Sequence, residues 1–155
     1  MVNSMKLAIL SDTHGLLRPQ VLTCLQGVDA ILHGGDINSQ KLVDTLQTYA
    51  PLYVVRGNND KDWAEAIPKE LRFSLGGLNF YMVHNKKDIP SNLSGVDVVL
   101  YGHSHKYAQE VRDGVLYLNP GSCGPRRFHQ EITLARMDIT DGHYTVEKIL
   151  IPHEA

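Results

Sequence analysis

Residues 98–105 have the sequence VVLYGHSH, an apolar run that ends in a glycine and two alternate histidines. Such a run is typical of a buried strand that delivers polar groups at its C-terminal end. Residues i and i+2 of an extended chain share a face, so His103 and His105 are expected to point the same way, with backbone origins roughly 6–7 Å apart. That separation suits ligands of neighbouring metal ions, which lie about 3.5–4 Å apart in two-metal sites. This stretch alone fits a pair of solvated loop histidines equally well.

The composition predicts one globular domain. The chain has 155 residues, of which 43% are hydrophobic and 21% charged. A chain of this length buries about two-thirds of its unfolded surface without disulfides or structural metals. We therefore expect a single domain over residues 1–155, with an ordered core from about residue 6 to about residue 152. The net charge of -2, with both signs interspersed, gives no indication of a nucleic-acid or anionic membrane surface.

The sequence contains no targeting or membrane-spanning pattern. No apolar stretch approaches the roughly 20 residues of a membrane span, and the N-terminus lacks the order of a signal peptide. A cytoplasmic location is the expectation that follows. Cys24, in a predicted helix, and Cys123, in a predicted loop, lack the spacing of a metal or disulfide motif, so both are expected to be reduced thiols. A role for Cys123 through oxidation and a homo-oligomeric state both stay open.

The first half of the chain alternates strands and helices. Apolar runs at residues 6–10, 30–32 and 52–55 predict buried strands, and each ends in a polar loop. Helices are predicted from Pro19 and from Asn38 or Ser39. This alternation indicates a largely parallel sheet, whose ligands gather beyond the carboxyl ends of the strands. The polar residues that fall there are Asp12, His14, Asp36 and Asn58.

The second half favours antiparallel pairing. A short irregular helix, broken at Pro68, is predicted over residues 62–71, followed by a hairpin over residues 73–83 that delivers His84. Asp-Gly turns predict two further hairpins, within residues 108–118 and 131–151. Both halves fit one α/β fold, a two-sheet β-sandwich flanked by helices.

Five loops, each after a predicted strand, carry polar residues in a fixed order along the chain. Taken together they resemble the calcineurin-like metallophosphoesterases, especially the small single-domain branch of bacteria and archaea. The resemblance spans nearly the whole chain and implies the four-layer αββα fold of that family. The segments that carry it are Asp12-x-His14, Gly35-Asp36, Gly57-Asn58-Asn59-Asp60, His84, Gly102-His103-Ser104-His105 and Asn119-Pro120-Gly121-Ser122.

The resemblance implies a binuclear metal site, with Asp36 bridging the two ions. It assigns Asp12, His14 and His105 to one metal. It assigns Asn58, His84 and His103 to the other. Nitrogen and oxygen ligands suit divalent transition ions, with manganese expected and iron, nickel or zinc as alternatives.

The activity implied is hydrolysis of a small phosphate ester, a phosphodiester above all, by a hydroxide that bridges the metals. One alternative is a phosphomonoesterase. Another is a non-catalytic, protein-binding scaffold of the same fold, similar to the small subunit of the retromer complex.

One position departs from the family pattern. Many members have histidine after the motif asparagine, as a phosphate contact or general acid, and this chain has Asn59. An amide cannot act as a general acid, so we expect a preference for esters with good leaving groups, or a metal-bound water as the acid.

Asp60 is a further catalytic candidate. His33 is either a group that orients a ligand or a packed strand histidine, and Arg126 and Arg127 either contact a substrate phosphate or form a solvated pair.

Overall fold

The residues that the structure describes form ten strands, two α-helices and two short 3-10 turns. The computed structural model describes residues 4–127 and 130–152. In chain order the elements are β1 (Ser4–Leu10), α1 (Pro19–Cys24), β2 (Ala30–His33), α2 (Gln40–Gln47), β3 (Leu52–Val54), a 3-10 turn (Asp62–Ala64), β4 (Glu70–Leu75), β5 (Leu78–Val83), a second 3-10 turn (Lys86–Asp88), β6 (Val98–Leu100), β7 (Tyr107–Arg112), β8 (Val115–Pro120), β9 (Ile132–Thr140) and β10 (His143–Ile151).

The first sheet has the strand order β10-β9-β1-β2-β3. The strands β1, β2 and β3 are parallel, as predicted, and β9 joins the other side of β1 in the antiparallel direction. In the register of the parallel strands, Leu10 pairs with His33 and His33 pairs with Val54. The three strands therefore end at the same level, and the loops that follow them leave the sheet at one edge.

The second sheet has the order β4-β5-β6-β8-β7. Its outer pairs, β4 with β5 and β7 with β8, are the predicted antiparallel hairpins. Its centre is parallel, because β6 runs in the same direction as both β5 and β8. Met82, Leu100 and Leu118 lie at one level across these strands. The segments that begin at His84, Gly102 and Asn119 consequently leave the second sheet together.

Three apolar clusters cover the faces of the two sheets. The largest lies between the sheets and includes Ile9, Phe80, Leu116 and Met137, each at most 1% exposed. A second cluster packs α1 and α2 against the outer face of the first sheet. A third covers the outer face of the second sheet with the segment that contains the turn Lys86–Asp88. The predicted sandwich of two sheets flanked by helices is confirmed.

Of the predictions made for the helices, the start of α2 is confirmed and the helix over residues 62–71 is not. Ser39 caps α2, because its hydroxyl accepts a hydrogen bond from the backbone N–H of Leu42 at 3.2 Å. The helix predicted over residues 62–71 is wrong: one 3-10 turn forms, and β4 begins at Glu70. Pro68 has no N–H and disfavours helical geometry at the residue before it. Pairing with β5 then draws the following residues into the sheet.

No helix in residues 4–127 and 130–152 is long and apolar enough to cross a membrane. The longest described helix, α2, has 8 residues. A spanning helix requires about 20.

Leu116→Ala is expected to lower the free energy of unfolding by about 2–5 kcal/mol, because it removes a side chain buried between the sheets and leaves a cavity. Leu150→Ala makes the same chemical change on β10, where the side chain is 55% exposed, and should cost less than about 1 kcal/mol. Urea denaturation of both variants measures the difference. Equal losses would contradict the assignment of Leu116 to the core.

Candidate metal centre

Polar side chains from the adjoining edges of the two sheets form two compact groups. Asp12, His14 and His105 form one, and Asp36, His84 and His103 form the other. Within each group the candidate ligand atoms lie within 4.8 Å of one another. The structure thus brings together six of the seven residues predicted as metal ligands, from loops far apart in the chain.

The carboxylate of Asp12 is held by one oxygen and leaves the other facing the site. Its Oδ2 accepts hydrogen bonds from the Ser11 hydroxyl at 2.8 Å and from the His103 backbone N–H at 3.1 Å. Its Oδ1 is buried and has no hydrogen-bond partner in the described structure. This oxygen lies 3.4 Å from Nε2 of His105 and 3.8 Å from Nε2 of both His14 and His84. Asp12 Oδ1 therefore points into a ring of imidazole nitrogens.

Asp36 is positioned by Asn59. The backbone N–H of Asn59 donates to Oδ1 at 2.9 Å, and its side-chain amide donates to Oδ2 at 3.3 Å. The same Oδ2 lies 3.2 Å from Nε2 of His84 and 3.7 Å from Nε2 of His14. Burial raises the pKa of the Asp36 carboxyl, but the neighbouring His84 ring and the hydrogen bond from the Asn59 backbone N–H outweigh it and hold that pKa well below its usual range. Asp36 is therefore a carboxylate that touches both ligand groups.

The ring of His84 has a fixed orientation. Its Nδ1 lies 2.7 Å from the carbonyl oxygen of Gly34, and a carbonyl can only accept, so Nδ1 carries the proton. Nε2 is thereby turned toward Asp12 and Asp36 and has no well-formed hydrogen bond of its own. Burial lowers the pKa of His84, but the contact with Asp36 raises it by more, so the pKa lies above its usual value. A cation between Nε2 and the carboxylates satisfies all three groups.

His14 and His105 face each other through their Nε2 atoms, which are 3.3 Å apart. Burial lowers the pKa of His14, which favours the neutral ring although Asp36 and Asp12 oppose the effect. Neutral imidazole nitrogen is the form that binds metals. His105 is buried and His14 partly so, which places both nitrogens at the inner end of the site.

The donor set and its spacing fit divalent transition ions. The distances between facing donor atoms run from 3.2 Å (His84 Nε2 to Asp36 Oδ2) to 3.8 Å (His14 Nε2 to Asp12 Oδ1). Two ligands on one ion with bonds of about 2.1 Å are separated by roughly 3.0–3.4 Å. Asp12 Oδ1 and His84 Nε2 are buried without hydrogen-bond partners among the described residues, at a cost that metal coordination would remove. Imidazole with carboxylate suits zinc, manganese, iron and nickel.

Several of these residues have left-handed backbone conformations. Non-glycine residues rarely adopt positive φ, and holding one there costs on the order of 1–3 kcal/mol. Such strain is concentrated at functional sites. The candidate ligands concerned are Asp12 (φ 55°), His14 (45°), Asp36 (58°), His103 (76°) and His105 (65°). This independent feature of the backbone coincides with the ligand groups.

Glycines allow the loops to approach the carboxylates. A Cβ at Gly57 would overlap Oδ1 of Asp36, and a Cβ at Gly102 would overlap the Ser11 hydroxyl and lie 2.7 Å from Oδ2 of Asp12. The glycines of the motifs after β3 and β6 are therefore required by close contact. Neither of the two has a positive φ.

The motif after β3 places its three polar residues in different surroundings. Asn58 is exposed and lines a groove together with His84. Asp60 is buried, and its carboxylate accepts hydrogen bonds from the backbone N–H groups of Ile37, Asn38 and Gly57 at 2.8–3.1 Å. The Asp60 carboxylate thus joins the loop that carries Asp36 to the loop that carries Asn58.

His33, expected as either an orienting or a packed histidine, is fully buried and hydrogen bonded. Burial lowers its pKa to about 4, so the ring is neutral. Its Nδ1 accepts from the Gly35 N–H at 3.0 Å, and its Nε2 therefore donates to the Thr13 hydroxyl, also at 3.0 Å. His33 connects the end of β2 to the loop that carries Asp12 and thereby supports the site from behind.

Arg126 and Arg127 are both exposed but differ in surroundings. The Arg126 Nε donates to the carbonyl of Gln130 at 3.1 Å. The charge of Arg127 acts on His14 and contributes to the lowering of its pKa. Arg127 is therefore the member of the pair on the side of the metal centre.

Several residues that support the site were not among the predicted ones. Ser11 orients Asp12 through its hydroxyl. The Asn119 amide donates to the Gly102 carbonyl at 3.2 Å, and the Ser122 hydroxyl donates to the Asp12 carbonyl at 2.9 Å. The NPGS segment was itself part of the resemblance, so its position beside the site could have been inferred. Nothing in the sequence around Ser11 distinguishes it from an ordinary loop serine.

Cys123 lies behind the site and is inaccessible. It is 0% exposed, and burial raises the pKa of its thiol to about 12. The thiolate is the reactive form of cysteine. A buried thiol of this kind does not support a redox role.

Comparisons with known proteins identify the family of the chain. The calcineurin-like phosphoesterase superfamily domain matches residues 5–142. A phosphodiesterase of Methanocaldococcus jannaschii is 30% identical over 141 residues, which cover 77% of this chain and 84% of that protein.

Solved structures have the same fold. An archaeal phosphodiesterase superposes with a TM-score of 0.78 at 25% identity, covering 95% of this chain and 100% of that one. The wild-type Vps29 of Entamoeba histolytica, solved in complex with Zn²⁺, gives a TM-score of 0.68 at 23% identity over 94% of this chain and 99% of that one. With the family match spanning most of the sequence, this chain belongs to the calcineurin-like phosphoesterase superfamily.

Proposed function

We propose that this protein is a phosphodiesterase that works with two divalent metal ions. The observation that carries the proposal is the arrangement of Asp12 Oδ1 and His84 Nε2, buried without hydrogen-bond partners and surrounded by further nitrogen and oxygen donors. Such a set is costly to bury unless cations occupy it. The similarity to two archaeal phosphodiesterases supports diester rather than monoester hydrolysis.

The proposed ligands divide as the two groups suggest. One ion is held by Asp12, His14 and His105, and the other by Asn58, His84 and His103. Asp36 bridges them, in keeping with its Oδ2 lying near both His14 and His84. Manganese is the expected ion, with iron, nickel and zinc as alternatives. When bound, such ions activate water as a nucleophile and stabilise negative charge on phosphoryl oxygens.

The chain's own residues hold and orient these ligands. Ser11 fixes Asp12 and the Gly34 carbonyl fixes His84, so each presents one donor atom to the site. Asn59 uses both its backbone N–H and its amide on Asp36, which makes it an orienting residue, and a contact of Asn59 with phosphate stays a prediction from the sequence. We assign Asp60 to positioning as well, since its carboxylate is occupied by backbone donors. Arg127 is the candidate phosphate contact on the His14 side.

A protein-binding scaffold is the second candidate function, because the fold is shared with Vps29. That structure contains Zn²⁺, so metal binding by itself does not separate the two functions. Hydrolysis of a phosphodiester separates them, because only the enzyme turns over substrate. The complete set of ligand candidates favours the enzyme.

Metal analysis combined with an activity assay tests the proposal. The purified protein should bind about two transition ions per chain and hydrolyse bis(p-nitrophenyl) phosphate when manganese is supplied. Chelation should abolish the activity, and manganese should restore it. Metal binding without turnover under any supplementation would favour the scaffold, and an absence of both would contradict the binuclear site.

Two alanine variants in this assay test the bridging assignment. Asp36→Ala should lower occupancy of both ions, because its carboxylate contacts both groups. His105→Ala should lower chiefly one, because its close carboxylate contact is with Asp12. The metal content of each variant is the measurement. Equal loss from the two changes would argue against Asp36 as the bridge.

Asn59→His should raise kcat/KM for alkyl phosphodiesters, whose leaving groups need a proton, by at least about tenfold. A positioned general acid contributes about 10²–10⁴-fold, and an amide contributes none of it. Aryl esters with good leaving groups should change much less. Asn59→Ala is the control, because it removes the amide without adding an acid. If Asn59→His gives no gain with poor leaving groups, the lack of a general acid at this position does not limit the activity, and the prediction is wrong.

A further inference from the structure

A groove of about 990 Å³ opens directly beside the proposed metal centre. It shares Gly57, Asn58 and His84 with the site and extends away from it past β4 and the turn Lys86–Asp88. Small-molecule sites in proteins have volumes of roughly 300–1,000 Å³. A phosphate held at the metals would therefore have room for one esterified group in this groove.

The lining of the groove is charged and has both signs. Arg56, Lys61 and Lys69 supply the positive groups. The negative groups are Asp62, Glu65, Glu70 and Asp88, since the Asp60 carboxylate is turned toward backbone N–H groups. No single charge dominates, so the groove does not select a strongly cationic or strongly anionic group.

Apolar side chains are nearly absent from the lining of the groove. Among the described residues that line it, Val83 supplies the one apolar side chain, and none is phenylalanine, tyrosine or tryptophan. Binding of a nucleobase commonly uses stacking on aromatic rings. Binding of an acyl or aryl group requires apolar surface. The lining therefore disfavours nucleosides, lipids and aryl groups.

Arg56 lines the groove and has an unpaired side-chain donor. Its backbone N–H donates to the Pro68 carbonyl at 2.9 Å, which fixes the residue at the end of β3. Its side-chain Nε is buried and has no hydrogen-bond partner in the described structure. An unpaired buried donor of this kind is costly, and a ligand hydroxyl that reached it would supply the missing acceptor.

Resting on the proposed function, we propose that this groove binds a polyhydroxylated alcohol, a polyol or sugar, that is esterified to the phosphate. Each hydroxyl can accept from Arg56 or a lysine and donate to a neighbouring carboxylate, and a surface of alternating charges provides both partners. Glu70 is already held by the Tyr81 hydroxyl, so its carboxylate is oriented before a ligand arrives.

Two matched substrates test the assignment. The glyceryl and propyl diesters of p-nitrophenyl phosphate share a leaving group and a three-carbon chain and differ in two hydroxyls. The manganese-loaded protein should show a kcat/KM about tenfold higher for the glyceryl ester, since each hydroxyl adds hydrogen bonds that contribute modestly. A 2-aminoethyl diester that is preferred over the glyceryl one would overturn the polyol assignment.

Calorimetric binding gives a readout besides turnover. Glycerol 1-phosphate should bind the manganese-loaded protein about tenfold more tightly than propyl phosphate. If neither diester is hydrolysed, the proposed function fails and these binding constants alone decide on the groove. If both diesters are hydrolysed equally and both phosphates bind equally, the groove assignment fails while the phosphodiesterase stands.

Substitutions inside and outside the groove show which residues cause the glyceryl preference. Arg56→Lys keeps the charge but loses the planar fork, and should reduce the glyceryl preference to below about threefold. Lys69→Met, at an exposed position of the groove, is a second variant in case Arg56→Lys does not fold. Lys41→Met makes the same change on α2, outside the groove, and should leave the preference unchanged. An unchanged preference in folded Arg56→Lys and Lys69→Met would overturn the assignment.

Discussion

Two buried carboxylates, each hydrogen bonded by neighbouring loop residues and each facing imidazole nitrogens, constrain the whole site. Asp12 is held by Ser11 and His103, and Asp36 by Asn59. Their remaining contacts are with imidazole nitrogens at 3.2–3.8 Å. This arrangement is unfavourable without cations, because acceptor atoms then face one another in a buried space.

The two sheets make this arrangement possible by ending their strands at a common edge. β1, β2 and β3 end level in one sheet, and β5, β6 and β8 end level in the other. Rigid strand ends can hold neighbouring loop residues in strained positive-φ conformations, as at Asp12, Asp36 and His105. Strain at these positions is compensated by packing elsewhere, chiefly by the apolar cluster between the sheets.

Much of the fold was predictable because strand and loop signals in this chain are local. Apolar runs that end in glycine and polar residues identified nearly every strand, and Asp-Gly turns identified two hairpins. The helix predicted over residues 62–71 was wrong because pairing between β4 and β5 overrode a weak local pattern. The parallel centre of the second sheet was not predicted either, since strand order is set by contacts distant in sequence.

By itself the sequence determined which residues are candidate metal ligands, because donor types and their order after strands are visible in the chain. His103 and His105, ambiguous in isolation, gained their interpretation from Asp12, Asp36 and His84 in other loops. The tertiary structure decided what each neighbour does: Asn59 turns to Asp36, Asp60 joins two loops, and Ser11 orients Asp12. It also decided that a charged groove lies beside Asn58 and His84. These roles depend on distances between loops that are remote in sequence, which only the packing of the two sheets establishes.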